Sequence, residues 1–254
     1  PADQDRLRRL VIDPYRLARA TRTPVKLTVS ELKSRAPADD PDDDQPAFLT
    51  TRETGWRGID LSLRLTDEIG AGPDFQDGRL TGAQLGTALH TVFRYLDLPA
   101  ARRDSLPDAI ERQIAAMRRE AMLTEAEAEA VLPFSQAIRR YVASDLAGEL
   151  VAAMEKEGAV YQELPFTLAL PACDVYDPCD GLAADDQVMV QGIIDCWYRD
   201  ASGITLIDYK SDWIRGSQND LIAEIRRRYT TQMAWYVRAI EALSGQKVQR
   251  CLVW

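Results

Sequence analysis

The sequence predicts an α/β protein in which helices pack on a mixed sheet, and three observations predict it. The block from about 106 to 156 is helical throughout and precedes any strong strand signal. After Gly158 the hydrophobic period changes from helical to alternating. A long helical stretch, 219–243, then separates the third strand from the fourth. Helices, three antiparallel-style strands, a helix and a last strand make an α/β or α+β layer architecture. No internal repeat is visible.

Residues 3–20 read as a helix through Leu7, Leu10, Val11, Leu17 and Ala18, and Pro24 breaks the pattern. Thr28-Val29-Ser30 offers capping side chains for a short helix from Glu31 to Ser34. Residues 36–47 are rich in Pro and Asp and read as a loop or linker, and 66–78 form another loop. A helix is expected from about Thr81 to Leu96. Within the helical block, Thr124 with Glu127 fits a capping box, and Pro133 starts a further helix. Strands are expected at about 159–170, 187–198, 203–209 and 247–253, with Gly203 closing a hairpin between the second and third.

The 254 residues, 46% hydrophobic and 28% charged, suffice for one large domain or two small ones with a real core. No segment approaches the roughly 18 consecutive apolar residues of a membrane span. The polar start, Pro1-Ala2-Asp3, is no signal peptide and lacks an initiator methionine, so the chain is expected to be an excised piece of something longer. Its four cysteines, Cys173, Cys179, Cys196 and Cys251, form no C-x-x-C pair. That argues against a zinc or iron–sulfur site and for reduced thiols in a cytoplasmic setting. A net charge of −9 argues against a strong isolated nucleic-acid binder, because affinity for phosphates comes mainly from Lys and Arg. The charge is unevenly spread: Asp39, Asp40, Asp42, Asp43 and Asp44 form an acidic run, and Arg226, Arg227 and Arg228 a basic one. A local groove can therefore be positive on an acidic body.

Two stretches carry chemistry. Gln191-Gly192-Ile193-Ile194-Asp195 and Ile207-Asp208-Tyr209-Lys210 each read as the end of a strand that delivers a carboxylate. Asp is depleted inside strands, and a carboxylate beside buried-type residues is costly without a partner. A divalent metal resolves that cost. Lys210 lies two residues after Asp208, so the two side chains share a face. Two carboxylates and a lysine on one surface suit a hard divalent cation and a phosphodiester reaction. Beside a metal, Lys210 can orient or help deprotonate an attacking water, or stabilise developing phosphorane charge.

His90, the one histidine, is by itself more often a structural residue than a ligand, although imidazole commonly binds divalent ions. Glu163 alone reads as an exposed strand glutamate. Tyr229, Gln232 and Tyr236 form a stripe on the late helix, which suits core packing or a contact facing phosphate or the metal-site edge.

Taken in order, G-x-x-x-H ending at His90, E-x-P-F from Glu163, G-I-I-D ending at Asp195, I-D-Y-K-S-D around Asp208 and Y-x-x-Q-x-x-x-Y from Tyr229 to Tyr236 resemble the RecB-type nucleases of the PD-(D/E)-x-K superfamily. The likeness runs to the carboxy-terminal nuclease domain of the AddA subunit of AddAB helicase–nucleases. Leu27-Thr28-Val29-Ser30-Glu31-Leu32-Lys33 and Leu96-Asp97-Leu98 also look like segments of that domain. The resemblance covers most of residues 25–254.

It implies a restriction-endonuclease-like mixed central sheet flanked by helices, with a large helical insertion before the core strands. It implies one nuclease domain over 1–254. Residues 1–80 would be a helical and loop segment holding the acidic linker 36–47, residues 81–157 a helical region, and residues 158–254 the catalytic sheet core. Among site residues it implies His90, Asp195, Asp208 and the carbonyl of Tyr209 as metal ligands and Lys210 as the catalytic lysine. Glu163 would support the site, Gln232 and Tyr236 would belong to the Q-x-x-x-Y motif, and Gly192 would allow close approach beside the metal strand.

The expected activity is that of a Mg²⁺-dependent deoxyribonuclease, an exonuclease acting mainly on single-stranded DNA, with Mn²⁺ able to substitute. The expected partners are a helicase region of the same parent chain and an AddB-type subunit, in DNA end processing and recombination. No G-x-x-x-x-G-K-[ST] loop is present, so any ATP-driven unwinding lies elsewhere in a longer polypeptide. Two other readings stand beside this one. A standalone RecB-like exonuclease would have no helicase motifs upstream. A non-catalytic nucleic-acid or protein-interaction module on the same scaffold would lack one of the carboxylates.

Overall fold

A computed structural model describes residues 20–35, 80–104, 106–156, 159–176, 181–183, 185–210 and 218–254. The expected helix at 3–20 falls outside these residues except at Ala20, and the acidic run and the loop at 66–78 fall outside entirely. The described elements are β1 (Lys26–Thr28), α1 (Val29–Arg35), α2 (Gly82–Tyr95), α3 (Leu98–Arg103), α4 (Ala109–Arg119), α5 (Glu125–Val131), α6 (Ser135–Ala143), α7 (Asp145–Met154), β2 (Val160–Pro171), β3 (Gln187–Asp200), β4 (Gly203–Asp208), α8 (Gln218–Ser244) and β5 (Val248–Val253).

The five strands form one mixed sheet. β2 runs antiparallel along one edge of β3 from Pro171 opposite Gln187 to Val160 opposite Tyr198. On the other edge, β1 lies parallel to the first part of β3, and β4 lies antiparallel to its last part. β5 returns parallel to β4 after α8. This is the mixed, helix-flanked sheet expected of a restriction-endonuclease-like fold.

Local chemistry explains most boundaries. The Thr124–Glu127 capping box forms as expected, and Thr81 with Gln84 builds a second one that starts α2. Thr28 caps α1: its hydroxyl accepts from the Glu31 N–H at 3.2 Å, and the Glu31 carboxylate accepts from the Thr28 N–H at 2.7 Å. α1 therefore begins at Val29, two residues before the expected start. Pro133 sits in a single 3₁₀ turn (Leu132–Phe134) that leads into α6. The hairpin closes at Gly203, whose φ of +123° is left-handed; a Cβ there would collide with Gln249 Cγ.

Two features depart from expectation. β1 is a strand of three residues, too short for an alternation signal, and it brings the first segment of the chain into the sheet. Cys173 is disulfide-bonded, its partner sulfur outside the described residues, so the expectation of four reduced thiols is corrected; Cys196 and Cys251 are free and buried.

The sheet separates two hydrophobic cores. On one face Leu89, Val92, Ile114, Ile138 and Leu150 of the helical block pack with Cys196, Tyr198, Ile207, Tyr209 and Leu252. On the other, Leu27, Val29 and Leu32 join Tyr229, Met233, Val237 and Ile240 of α8 over Val190, Ile194, Leu206, Cys251 and Val253. The even-numbered side chains of β3 belong to the second core up to Ile194 and to the first from Cys196 onward. The strand passes from one core to the other at Asp195.

Candidate active site

The register of the β3–β4 hairpin assembles the acidic centre. Cys196 pairs with Ile207 where the β3–β4 ladder ends, and Asp195 and Asp208 are the residues just beyond that last pair. Both are buried, Asp208 completely and Asp195 to 9% exposure. Asp195 Oδ2 accepts the Tyr209 N–H at 2.8 Å, which ties the interior of β3 to the residue that follows β4. Burial first, and then the neighbouring Asp208 charge, push the Asp195 carboxyl up to about 7, against the opposing pull of His90, Lys210 and the Tyr209 N–H.

His90 reaches this centre from α2. Its Nδ1 lies 3.5 Å from Asp195 Oδ1 and 3.8 Å from Glu163 Oε1. Both are ion-pair contacts too long for strong hydrogen bonds. The Glu163 carboxylate is the main cause that raises the imidazole above its ordinary pKa; burial opposes it, and Asp195 adds to it.

Glu163 has φ +49°, a left-handed conformation in the middle of a strand. Its neighbours Gln162 and Leu164 pair with Cys196 and Ile194, while Glu163, opposite Asp195, does not pair. Non-glycine residues adopt this conformation at a cost of order 1–3 kcal/mol and persist in it where the surroundings impose it. Here it accompanies a carboxylate aimed at the imidazole.

Among the described residues, His90, Glu163 and Asp195 form a group whose ligand atoms all lie within 4.8 Å of one another. Asp208 is not in that group, and Glu163, expected only to support the site, is. Asp208 is held instead by its own side of the centre. Lys210 Nζ lies 2.6 Å from Asp208 Oδ2, and Gln232 Nε2 donates to Asp208 Oδ1 at 3.1 Å. Gln232 also donates to the Tyr236 hydroxyl at 3.0 Å. The stripe on α8 is thus a polar contact to the acidic centre as well as core packing.

The lysine contact meets the distance but not the angular requirement of a hydrogen bond, so fully buried Asp208 Oδ2 keeps an unused lone pair. A fully buried carboxylate oxygen with an ion pair but no hydrogen bond among the described residues, a neighbouring carboxyl pushed up by burial and an imidazole–carboxylate group fit a divalent cation. Such an ion would hold both aspartates ionised and satisfy that oxygen. The residues that would hold it are His90, Glu163 and Asp195, with Asp208 alongside.

Two further residues shape the centre in ways the sequence did not disclose. The Tyr209 side chain points away from Asp208, as alternation requires, into the helical core. It stacks on Phe93 with ring centroids 4.4 Å apart, and its hydroxyl meets the Tyr141 hydroxyl at 2.8 Å. Alternation within Ile207-Asp208-Tyr209-Lys210 was the available signal for this anchor. Gly192 does allow a close approach, but by the protein itself: a Cβ there would lie 2.7 Å from the Phe166 ring and 3.1 Å from Val29 Cγ2.

Comparison with known proteins agrees with this geometry. The chain matches the PD-(D/E)XK nuclease superfamily over residues 61–254. It is 34% identical over 256 residues to the A subunit of an ATP-dependent helicase/nuclease of Geobacillus thermodenitrificans, covering 99% of this chain and 19% of that protein. Proteins of the same name from Bacillus velezensis and Acetivibrio thermocellus are 32% and 29% identical, covering 93% and 94% of this chain and 17% of each relative. The chain therefore spans about a fifth of the length of the curated relatives it matches. Among the described residues no helix is long and apolar enough to cross a membrane. With an aspartate inside β3, a second at the end of β4, a lysine two residues after it and a family match over most of its length, the chain belongs to the PD-(D/E)XK nuclease superfamily.

Proposed function

We propose that this chain is a Mg²⁺-dependent nuclease domain that hydrolyses phosphodiester bonds in single-stranded DNA, with Mn²⁺ able to substitute. It belongs to a longer ATP-dependent helicase–nuclease whose motor feeds it strand, acting with an AddB-type partner in the processing of DNA ends. The single observation that carries the reading is the meeting of the His90, Glu163 and Asp195 group with the Asp208–Lys210 pair at one strand junction. All the acids are present, which argues against a non-catalytic module. The likeness to helicase/nuclease proteins argues against a standalone exonuclease.

When bound, a divalent cation supplies an acidified water and positive charge against the phosphoryl oxygens. The remaining work falls to the chain. Asp195 and Asp208 order the centre through the ladder and the Tyr209 N–H. Lys210 Nζ, held by Asp208, is placed to orient the attacking water or to donate to a nonbridging phosphoryl oxygen as charge develops there. Gln232 fixes the Asp208 carboxylate from α8, and Tyr236 steadies Gln232.

The test is digestion of end-labelled single-stranded DNA with Mg²⁺ or Mn²⁺, run beside Asp208→Ala and Asp208→Asn. Both variants should lose cleavage by about a thousandfold or more while retaining the wild-type circular dichroism spectrum. Cleavage by Asp208→Asn at the wild-type rate would refute the assignment.

A further inference from the structure

Three carboxylates crowd the centre, so a polyanionic strand needs positive charge beyond the catalytic lysine. A second ammonium stands beside it. Lys33 Nζ, from α1, lies 4.3 Å from the centroid of the Tyr229 ring, and Lys210 Nζ lies 5.3 Å from the same centroid. Tyr229 is buried at 1% exposure, so its ring is a fixed surface addressed by both cations.

A cleft opens along the residues that precede Lys33 in the chain. Thr28, Ser30, Thr167, Gln191, Ile193 and Tyr236 contribute to its walls. It connects to the reacting centre through Tyr236, whose hydroxyl accepts from Gln232, which in turn donates to Asp208. Lys33 follows the cleft-lining Val29 and Ser30 of the same helix by four and three residues, so it extends the face that borders the cleft toward Lys210. The cleft walls offer hydroxyls, an amide and apolar surface but no charge. Neutral walls can position a strand, whereas affinity for its phosphates comes from cations.

We propose that Lys33 is a substrate-contacting residue: its ammonium binds a backbone phosphate neighbouring the one that Lys210 faces, and so anchors a single DNA strand in this cleft. The inference rests on the nuclease reading above and adds to it a second cation and a path for the strand. The buried Tyr229 ring faces the Lys33 ammonium, which limits the freedom lost when phosphate binds.

The test uses the 254-residue chain with Lys33→Met, which keeps an unbranched stem over Tyr229 and removes the charge, and Lys33→Arg, which keeps the charge. Binding of a fluorescent oligodeoxythymidylate is measured by anisotropy in Ca²⁺ across a salt series, and kcat and KM are measured in Mg²⁺ or Mn²⁺. Lys33→Met should bind about five- to tenfold more weakly, with a salt slope smaller by about 0.7, the contribution of one phosphate contact on a single strand. KM should rise in step, kcat should stay within about twofold, the melting temperature should not move, and Lys33→Arg should behave as wild type. Unchanged affinity and slope in Lys33→Met would overturn the assignment. So would a loss confined to kcat, or a wild-type chain with no measurable affinity for the strand. Weaker binding by Lys33→Met in a chain that never cuts would uphold the contact and sink the nuclease reading.

Discussion

Asp195 and Asp208 lie just beyond the last β3–β4 pair on neighbouring strands, yet their surroundings differ. Asp195 faces the helical half of the molecule, where His90 and Glu163 meet it and burial and a like charge push its carboxyl up to about 7. Asp208 faces α8, where Lys210 and Gln232 hold it. One end of the centre thus groups an imidazole with two carboxylates, and the other pairs a carboxylate with a lysine. The difference teaches that identical residues on paired strands acquire different partners according to which core each faces.

The strongest way to break this comparison is to neutralise each end in turn. Asp195→Asn should weaken Mn²⁺ binding by about 10–100-fold as well as abolish cleavage, whereas Lys210→Met should lose cleavage by about a hundredfold or more with Mn²⁺ affinity changed less than about threefold. Calorimetric titration of Mn²⁺ decides it: equal losses of metal affinity in the two variants would erase the distinction.

A smaller effect sharpens the role of the second core. Gly192→Ala places a methyl group against the Phe166 ring and Val29, an overpacking that should cost about 1–3 kcal/mol in urea denaturation. Unchanged stability would mean that Phe166 moves aside freely.

The smallest effect tests the anchor on the helical side. Tyr209→Phe removes the hydroxyl partner of buried Tyr141 and should cost about 1–2 kcal/mol, with cleavage retained within a fewfold because the backbone N–H on Asp195 and the ring edge toward His90 are both kept. A loss of activity comparable to that of Asp208→Asn would show that the ring does more than anchor the strand.

Much of the fold was legible. The Ile207-Asp208 strand end, the Gly203 hairpin, the Thr124–Glu127 box and the long helix before β5 all lie where period and capping chemistry put them, whereas Asp195, expected at a strand end, lies inside β3, which continues to Asp200. The helical block was legible as helix and in part as separate helices, through Thr124 and Pro133, but the break at Ser144-Asp145 was not, because it carries a cap without breaking the apolar pattern. β1 was missed because three residues hold no period, and its pairing with β3 exists only once α1 has packed against α8.

Of the candidate site, the aspartates and Lys210 could be read from alternation alone. His90 and Glu163 could be placed only by resemblance, since one residue lies on a helix more than seventy positions before Glu163 and the other adopts a backbone conformation that no strand pattern predicts. The oxidation of Cys173 was likewise invisible to spacing rules.

By itself the sequence determined which strands carry acid and which face Lys210 shares, because a period of two is a local property of extended backbone. Only the tertiary structure decided that Glu163 rather than Asp208 groups with the imidazole. That choice depends on the β2–β3 register, on a left-handed turn of backbone opposite Asp195 and on the docking of α2 against the sheet. These are long-range packing outcomes, and no local run of residues encodes them.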